Sequence, residues 1–412
     1  MSKAKLHGHS FWAALGSPRL VAAPMVQQSE LPARMLFRRY GAELCYTPMY
    51  LAKLFCTVPA YRTELFSTCE GDRPLIGQLA GHDPVMMVKA GLLLQDSCEA
   101  IDINLGCPQN IARKGRYGAF LLPDVPLVCD IVRTMVRELS VPVTCKVRLL
   151  QSDTATLEAC RRFEDAGVSA ITVHGRTREQ NKQYVGAVDW TAIRKISDAL
   201  SIPVIANGGV ATLDDVDACL AATSCVAVMS SEGLLGNPGL FCRNRDPVTG
   251  EYLTQRGLAR TYMQLAREHG AIDSSARSHV FKLIHGSLQA LPALRDQLAA
   301  ADGLGEIEAV VDALEELDPG MVLEPWHHAP EGREPCDALT WYHRHPTSVA
   351  AREGEGLAGA PLDAFGLASV QERSEERIAR RAVKAANKTV QRERAQERAA
   401  GRAAAAIALE TS

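Results

Sequence analysis

The sequence has few aromatic residues and no paired cysteines. Phe, Trp and Tyr make up 5% of its 412 residues, and its 12 cysteines include no CxxC pair. This scatter argues against a disulfide scaffold and a cysteine-based zinc site, so we expect no bound metal. Several cysteines, such as Cys45 and Cys145, lie in apolar segments, where a reduced thiol packs as a small hydrophobic group. The pattern indicates a reducing, intracellular compartment.

Long apolar runs and a strong overall charge are also missing. No run of about 18 apolar residues occurs, and the short apolar segment at Phe11–Leu15 lacks the features of a secretory leader. We therefore expect a soluble protein without a membrane span, cytoplasmic or alternatively nuclear. The formal net charge is −3, yet residues 371–402 hold 10 Lys/Arg against 5 Asp/Glu, so any basic patch is local.

Residues 19–241 alternate short apolar segments with helical patterns. Strands that are apolar throughout and separated by helices indicate parallel pairing with both faces buried. Eight such segments predict an α/β fold, a (β/α)₈ TIM barrel. An open doubly wound sheet is the weaker alternative, because no G-x-G-x-x-G follows the first strand. The predicted strands are Arg19–Met25, Glu43–Met49, Pro74–Ala80, Ala100–Leu105, Pro142–Leu149, Ala170–His174, Ile202–Asn207 and Val226–Ser230. The predicted helices are Leu31–Tyr40, Pro84–Gln95, Val125–Leu139, Thr154–Ala166, Trp190–Leu200 and Leu213–Ala222.

The strand pattern stops near residue 254, and helical spacing follows. We assign residues 1–245 to the barrel, 254–317 to a smaller all-α domain and 318–370 to a linker of low order. Residues 371–412 form a basic tail rich in Arg, Glu and Ala. The tail is either a solvated helix or disordered, and binding of nucleic acid or a partner is its alternative role.

Polar or glycine-rich residues follow seven of the eight predicted strands. A barrel of this kind carries its chemistry at the C-terminal ends of its strands, so these residues predict one shared pocket. In chain order they are Pro24-Met25, Gln78, Asn104 to Pro108, Lys146 with Arg148, His174-Gly175-Arg176, Asn207-Gly208-Gly209 and Ser231-Glu232-Gly233.

The loops after the seventh and eighth strands predict a phosphate site. Gly208 and Gly209 allow backbone N–H groups to approach an anion, and Ser231-Glu232-Gly233 follows the next strand. Phosphate groups bind between these two loops in many barrels, whereas plain turns are the alternative.

Lys146 lies within an apolar strand, where an unpaired ammonium is costly to bury. Reduced flavin carries negative charge near N1 and O2, and a lysine there would stabilise it. An ion pair with Asp102 is the alternative. Gln78 could bond the same flavin edge, and His174 could bond the cofactor phosphate, relay a proton or be a satisfied core histidine.

Cys107 lies in a Gly-Cys-Pro turn after a strand, where its side chain faces the mouth of the barrel. A thiol with a pKa of about 8.5 is mostly protonated at neutral pH, so it can act as a general acid. An inert loop cysteine is the alternative.

Taken together, these residues resemble the tRNA-dihydrouridine synthase family over roughly residues 18–300. The class that the chain resembles most is the eukaryotic synthase-1-like one, which acts on D-loop positions 16 and 17. The matching motifs are Ala23-Pro24-Met25, Asp102 to Pro108, Lys114-Gly115, Gly118-Ala119, Lys146 with Arg148, His174 to Arg178 and Asn207-Gly208-Gly209.

The resemblance implies an enzyme in which NADPH or NADH reduces bound FMN. Hydride then passes to C6 of a uracil in tRNA, and Cys107 protonates C5. It implies cofactor contacts from Pro24, Met25, Gln78, Lys146, His174, Asn207, Gly208, Gly209, Ser231 and Glu232. It implies substrate contacts from Asn104, Arg148, Arg176, Arg178 and Lys282. We expect a monomer whose partner is tRNA.

Two loops depart from the family pattern. Bacterial members usually have Asn-Gly-Asp and Gly-Arg where this chain has Asn207-Gly208-Gly209 and Ser231-Glu232. An arginine clamp on the phosphate is therefore missing there, and backbone amides or another basic residue must replace it.

The resemblance makes residues 254–317 the tRNA-binding domain, with residues 278–285 as its basic, aromatic helix. A paired uracil cannot reach a buried flavin, so the base must flip out at a cost of a few kcal/mol that other RNA contacts offset. The basic residues available, which could equally form an ordinary charged surface, are Arg256, Arg260, Arg267, Arg277, Lys282 and Arg295.

Two other functions stay open at this point. A flavin barrel acting on a free small molecule, as in dihydroorotate dehydrogenase-like enzymes, explains Lys146 and Asn207 but leaves the helical domain without a role. A catalytically silent RNA-binding protein is the other alternative, and Cys107 and Lys146 argue against it. Flavin absorbance in the purified protein, and activity on tRNA against orotate-like compounds, separate the three.

Overall fold

The structure is a computed structural model that describes residues 5–181 and 186–315. The predicted linker, residues 318–370, and the predicted basic tail, residues 371–412, lie outside the described residues. The last two residues of the predicted helical domain lie outside them as well.

Eight parallel strands form a closed barrel in the order β1 to β8, with β8 paired to β1. The predicted (β/α)₈ fold is therefore confirmed. The strands are β1 (Leu20–Ala22), β2 (Leu44–Leu51), β3 (Leu75–Ala80), β4 (Ala100–Leu105), β5 (Val143–Leu149), β6 (Ala170–Thr177), β7 (Val204–Asn207) and β8 (Ala227–Ser230).

Helices cover the barrel and continue beyond it. Those within or before the barrel are α1 (Gly8–Ala14), α2 (Leu31–Arg39), α3 (Ala52–Thr57), α4 (Pro59–Leu65), α5 (Pro84–Leu94), α6 (Asn110–Gly115), α7 (Val125–Glu138), α8 (Asp153–Asp165), α9 (Trp190–Ser197), α10 (Leu213–Thr223) and α11 (Glu232–Gly236). Those after it are α12 (Gln255–His269), α13 (Asp273–Leu283), α14 (His285–Ala290), α15 (Pro292–Ala300) and α16 (Leu304–Glu315). Within the described ranges, no helix is long and apolar enough to cross a membrane.

The predicted helices start where the sequence provides caps. Asp83 precedes Pro84, and its carboxylate accepts the backbone N–H of Val85 at 2.9 Å. Asp124 caps α7 in the same way, again before a proline. These caps satisfy N–H groups that have no partner inside the helix, which is why the predicted starts of α5 and α7 agree with the structure.

Helix α1, which the sequence pattern did not predict, closes the N-terminal end of the barrel. Phe11 and Trp12 are buried in one cluster with inward-facing residues from the starts of the strands, such as Leu44, Ala100 and Ala227. With that end filled, the polar residues gather at the opposite end, where the strands finish.

Candidate active site

A chain of buried side chains runs across β3, β4 and β5 to the loop of Cys107. Asp102 accepts hydrogen bonds from the Thr144 hydroxyl at 2.6 Å and from Nε2 of Gln78 at 2.8 Å. Oε1 of Gln78 accepts from Nδ2 of Asn104 at 2.7 Å. Oδ1 of Asn104 accepts the backbone N–H of Cys107 at 3.0 Å. Each partner fixes the amide orientation of the next, so the chain sets the position of the Cys107 backbone.

Two further hydrogen bonds hold the Cys107 turn. Oδ1 of Asn104 accepts the N–H of Gly106 at 3.1 Å, and the carbonyl of Cys107 accepts the N–H of Ala119 at 3.0 Å. Gly118 has φ +64°, and a Cβ there would lie 2.7 Å from the Cys107 carbonyl oxygen. Only glycine allows this close approach, so the Gly118-Ala119 motif that follows the turn is part of the cysteine site.

Lys146 has its polar partner on a distant strand. Its Nζ donates to Oδ1 of Asn207 at 2.8 Å, and Nδ2 of Asn207 donates to the Met229 carbonyl at 2.8 Å. Burial, and secondarily Arg148, lower the pKa of Lys146 to about 8. The Asp102 carboxylate takes its hydrogen bonds from Thr144 and Gln78, so the direct pairing of Lys146 with Asp102 considered from the sequence is not formed.

The carboxyl of Asp102 is fully buried. Burial raises its pKa to about 6, against the opposing hydrogen bonds from Thr144 and Gln78 and the charge of Lys146. The carboxyl therefore lies in an apolar surrounding in which its two hydrogen-bond donors are the main polar contacts.

His174 and the β7 loop form a confined polar corner. Nε2 of His174 is buried without a hydrogen-bond partner among the described residues. Burial, then the charges of Arg148 and Lys146, hold the pKa of His174 well below its usual value. Gly208 has φ +103°, and a Cβ there would come within 3.1 Å of that nitrogen. The corner thus keeps a neutral imidazole next to the half-buried backbone of Gly208.

A side-chain hydrogen bond fastens the loop after β7. Trp190 donates its indole N–H to the Gly208 carbonyl at 3.2 Å, and Gly209 has φ +74°. Ser231 and Glu232 start α11 after the next strand, and Ser231 is half-buried whereas Glu232 is exposed. The two loops end side by side, because β7 and β8 are neighbours in the barrel.

The three arginines predicted to bind substrate have different surroundings. Arg148 donates to the carbonyls of Gly106 at 2.9 Å and Thr177 at 2.8 Å, so it ties the cysteine turn to the end of β6. Arg176 donates to the Gly186 carbonyl at 3.0 Å. Arg178 lies 4.8 Å from the ring centre of Phe120, a residue packed against the cluster that borders Cys107. Burial, then Arg176, lower the pKa of Arg148 to about 10.

Lys282 is enclosed by protein groups at the turn that follows β1. Its side chain is 8% exposed, and its Nζ donates to Oε1 of Gln28 at 2.7 Å and to Oγ of Ser278 at 2.7 Å. The ammonium holds the helices after the barrel against the turn that follows β1. This position argues against the direct RNA contact expected from the sequence, because the charge is enclosed by protein.

The same interface contains a second polar cluster. The Tyr262 hydroxyl donates to Oε1 of Glu30 at 2.9 Å, and Nε2 of His279 lies 3.0 Å from that oxygen. The Tyr262 and His279 rings are 4.6 Å apart. Burial raises the pKa of Glu30, but the His279 and Tyr262 contacts outweigh it, so the net shift is downward.

Pro24 and Met25 lie directly before this interface. The Met25 carbonyl accepts the N–H groups of Gln28 at 3.1 Å and Ser29 at 3.0 Å in a tight turn. Gln28 also accepts a hydrogen bond from Lys282 of α13. The helices after the barrel therefore help to position the turn that contains Pro24 and Met25. Sequence reasoning missed Gln28, Glu30 and Tyr262, since no local motif marks them.

The polar groups at the mouth suit an anionic cofactor such as FMN. The buried Nε2 of His174 has no hydrogen-bond partner among the described residues, and the missing Cβ at Gly208 leaves room beside it. Lys146, Arg148 and Arg176 supply positive charge around them. Over residues 5–181 and 186–315, no group of three or more His, Cys, Asp or Glu side chains is arranged to hold a metal ion.

This fold and this mouth define a (β/α)₈ barrel protein whose cationic, polar mouth suits an anionic cofactor. The family model described as dihydrouridine synthase matches residues 20–314, and the chain belongs to that family. The predicted class is therefore confirmed: a flavin-dependent enzyme that reduces uridine in tRNA, with FMN as cofactor and NAD(P)H as reductant.

Curated relatives agree over most of their lengths. A protein of Rattus norvegicus named tRNA-dihydrouridine(16/17) synthase [NAD(P)(+)]-like is 44% identical over 82% of this chain and 76% of its own. Its Mus musculus counterpart is 43% identical over 82% of this chain and 70% of its own. The Schizosaccharomyces pombe tRNA-dihydrouridine(16/17) synthase [NAD(P)(+)] is 35% identical over 86% of this chain and 97% of its own.

Proposed function

We propose that this chain reduces the uridines at positions 16 and 17 of the tRNA D-loop, with Cys107 as the proton donor. The positions are those in the names of the rat, mouse and fission yeast relatives. The observation that carries the catalytic part is a pairing in the barrel. Asn104, which holds the Cys107 turn, is the direct ladder partner of Lys146. The thiol and the lysine therefore serve one mouth.

The residues proposed to hold FMN are those of the polar corner and its neighbours. Lys146 and Gln78 would meet the ring, His174 and the backbone of Gly208 and Gly209 would meet the phosphate side, and Ser231 and Glu232 would border it. Pro24 and Met25 would lie under the ring edge. Bound FMN, once reduced by NAD(P)H, supplies the hydride for C6 of the uracil.

The role of Cys107 is to deliver the proton to C5. Transfer leaves a thiolate on Cys107, and the charges of Lys146 and Arg148 favour that form, since each is coupled electrostatically to Cys107. Solvent then returns a proton to the thiolate, which regenerates the acid for the next turnover.

Asn104 can still reach the uracil while holding the turn. Its Oδ1 is used by Gly106 and Cys107, and one Nδ2 hydrogen by Gln78. The second Nδ2 hydrogen can donate to a uracil carbonyl. Arg178, which stacks on Phe120 and pairs with exposed Glu179 at 2.8 Å, is the predicted arginine most accessible to an RNA phosphate, because it is only half-buried.

Uridine in a folded tRNA must leave its stack to enter the mouth, at a cost of a few kcal/mol. Helices α12–α16 beside the mouth are proposed to supply the compensating RNA contacts. We further propose that the enzyme acts as a monomer in the cytoplasm, with the nucleus as the alternative compartment. Light scattering of the purified protein and localisation of a tagged chain test these two points.

The test of the proposed function is mass mapping of dihydrouridine in tRNA. Cells lacking this protein should lose dihydrouridine at positions 16 and 17, and the wild-type chain should restore both. Restoration at another D-loop position, or none, would overturn the assignment of positions. A Cys107→Ala chain that restores both would overturn the assigned proton donor.

A further inference from the structure

A cavity lies beside the barrel mouth, between barrel loops and the α12–α13 turn. Its volume is about 850 Å³, including the part open to solvent. Val26, Met49 and Tyr117 line it from the barrel, and Gly270 and Ile272 line it from the turn. None of the residues assigned above to FMN or to the reduced uracil lines this cavity, so it is an additional site.

The cavity shares a wall with the proposed proton donor. Met49 and Tyr117 belong to one buried cluster, and Cys107 and Val26 pack against the same cluster. A group in this cavity is therefore separated from the Cys107 site by a single layer of side chains. A neighbouring nucleotide of the same RNA strand is the substrate part that lies this close.

The walls suit a planar ring. The Tyr50 hydroxyl donates to the Leu65 carbonyl at 3.2 Å, and the Tyr61 hydroxyl accepts the N–H of Leu51 at 3.2 Å. With their hydroxyls bound to backbone, both buried tyrosines are held in place behind the cavity wall, where Tyr61 keeps 6% exposure. Unstacked RNA bases are commonly recognised by such aromatic surfaces.

The charged side chains around the cavity are of two kinds: one suits the N–H groups of a base, and the others suit phosphate. Glu64 lines it and is exposed, and no described residue pairs with its carboxylate. A carboxylate repels phosphate but accepts hydrogen bonds from the N–H groups of a base. Helix α6 lines the cavity through Ile111 and carries exposed Arg113 and Arg116 without acidic partners in the described ranges. These cations complement the phosphates flanking a bound base.

We propose that this cavity binds the base of a nucleotide adjacent to the uridine being reduced, with Glu64 accepting an N–H of that base. The inference rests on the proposed function, because it concerns the same RNA substrate. Cavity binding would fix the register of the D-loop while the reactive uridine occupies the mouth.

The experiment uses the flavin-loaded full chain and transcribed tRNA. Glu64→Gln weakens the acceptor, and Ser67→Trp fills the cavity from a lining position with an exposed side chain. The controls are Glu70→Gln and Thr63→Trp, both at exposed positions nearby that do not line the cavity. We expect each test variant to raise KM for tRNA about fivefold or more while kcat stays unchanged.

A second substrate, with an abasic nucleotide beside the reduced uridine, separates recognition from folding. Wild-type enzyme should lose the same factor on it, and Glu64→Gln should lose nothing further, because the missing base is what Glu64 binds. Independent, multiplying losses would overturn the proposal. So would an unchanged KM for tRNA, or a raised KM for NADPH, which would assign the cavity to the reductant.

Failure of the proposed function has a different signature. A wild-type chain that forms no dihydrouridine with any tRNA overturns that function and this inference together. A wild-type chain that reduces uridine normally, with cavity variants that match their controls, overturns only the cavity.

Discussion

Oδ1 of Asn104 accepts the backbone N–H of Cys107 at 3.0 Å, so the residue proposed to donate the proton is held by the residue proposed to contact the base. Arg148 anchors the same turn through the Gly106 carbonyl. Two adjacent strands thereby fix the cysteine from opposite sides. These contacts and the bond from Ala119 go to backbone groups of the turn, so they do not depend on which side chain stands at position 107.

Cys107→Ala should separate the two halves of the reaction. Flavin content and NADPH oxidation without tRNA should stay as in the wild type, because neither needs the thiol. Dihydrouridine formation should fall by about 10²- to 10⁴-fold, the usual contribution of a general acid. Single-turnover assays measure both. Cys69→Ala, a half-buried cysteine elsewhere, is the control, and product formation at the control's rate would remove Cys107 from the mechanism.

Lys146 should make FMN binding depend on pH. Since its pKa is lowered to about 8, its side chain in the cofactor-free protein loses charge as pH rises past that value. The polar edge of the flavin ring is bound best by the charged ammonium, so binding above that pH takes up a proton and the FMN Kd should rise with pH, by up to about tenfold per unit above pH 8. Flavin fluorescence quenching between pH 7 and 9 measures this. Lys146→Met should bind more weakly with a flat profile, whereas exposed Lys89→Met should keep the slope; a sloping profile in Lys146→Met contradicts the assignment.

Asp102→Asn should reverse or break the buried hydrogen-bond chain. Asparagine keeps an acceptor for Gln78 only if its Nδ2 turns towards Thr144, whose hydroxyl must then accept; in the other orientation Gln78 and Asn104 turn over or a buried donor stays unpaired. These rearrangements should cost about 1–3 kcal/mol in the free energy of unfolding, and loss of the buried charge offsets part of that cost at neutral pH. Urea unfolding measures it, with exposed Asp130→Asn as the control. Equal stability of the two variants would show that this row of buried hydrogen bonds does not stabilise the folded protein.

Glu30 should contribute to stability at neutral pH and lose that contribution in acid. Its pKa is lowered in the folded state, so the unfolded chain binds more protons as pH falls through about 4.3, the ordinary value. The contribution is therefore present above that pH and disappears below it. Glu30→Gln should unfold more easily at pH 7 and show a flatter dependence between pH 3.5 and 6. Glu158→Gln, exposed on α8, should keep the wild-type profile, and the same profile in Glu30→Gln would contradict the role of the His279 contact.

Much of the barrel could be predicted because its strands are buried on both faces. Ala100–Leu105 is apolar enough to be delimited correctly at both ends. The first strand was predicted through Met25 but ends at Ala22, since the following residues form a turn that packs against α13. Helices α3 and α4 were missed because two short segments around Pro59 carry too few turns for a helical period to show.

The location of the site can be predicted from which residues come directly after each strand in the sequence. In a parallel barrel every strand ends on the same side, so residues after the strands, from Gln78 to Asn207, had to meet. Which side chains then bind one another depends on the register between neighbouring strands of the barrel. Lys146 lies opposite Asn104 and bonds Asn207, and no local pattern distinguishes that arrangement from a pairing with Asp102.

By itself, the sequence determined the barrel, its polar mouth and the motifs around Cys107, because each depends on burial or on residues close together in the chain. Only the tertiary structure decided which side chains bind one another. Lys282 shows the difference most clearly: its helix looks basic and exposed, yet packing buries its ammonium against Gln28, 254 residues away in the chain. A contact over such a separation is set by how whole elements pack, which short-range patterns do not encode.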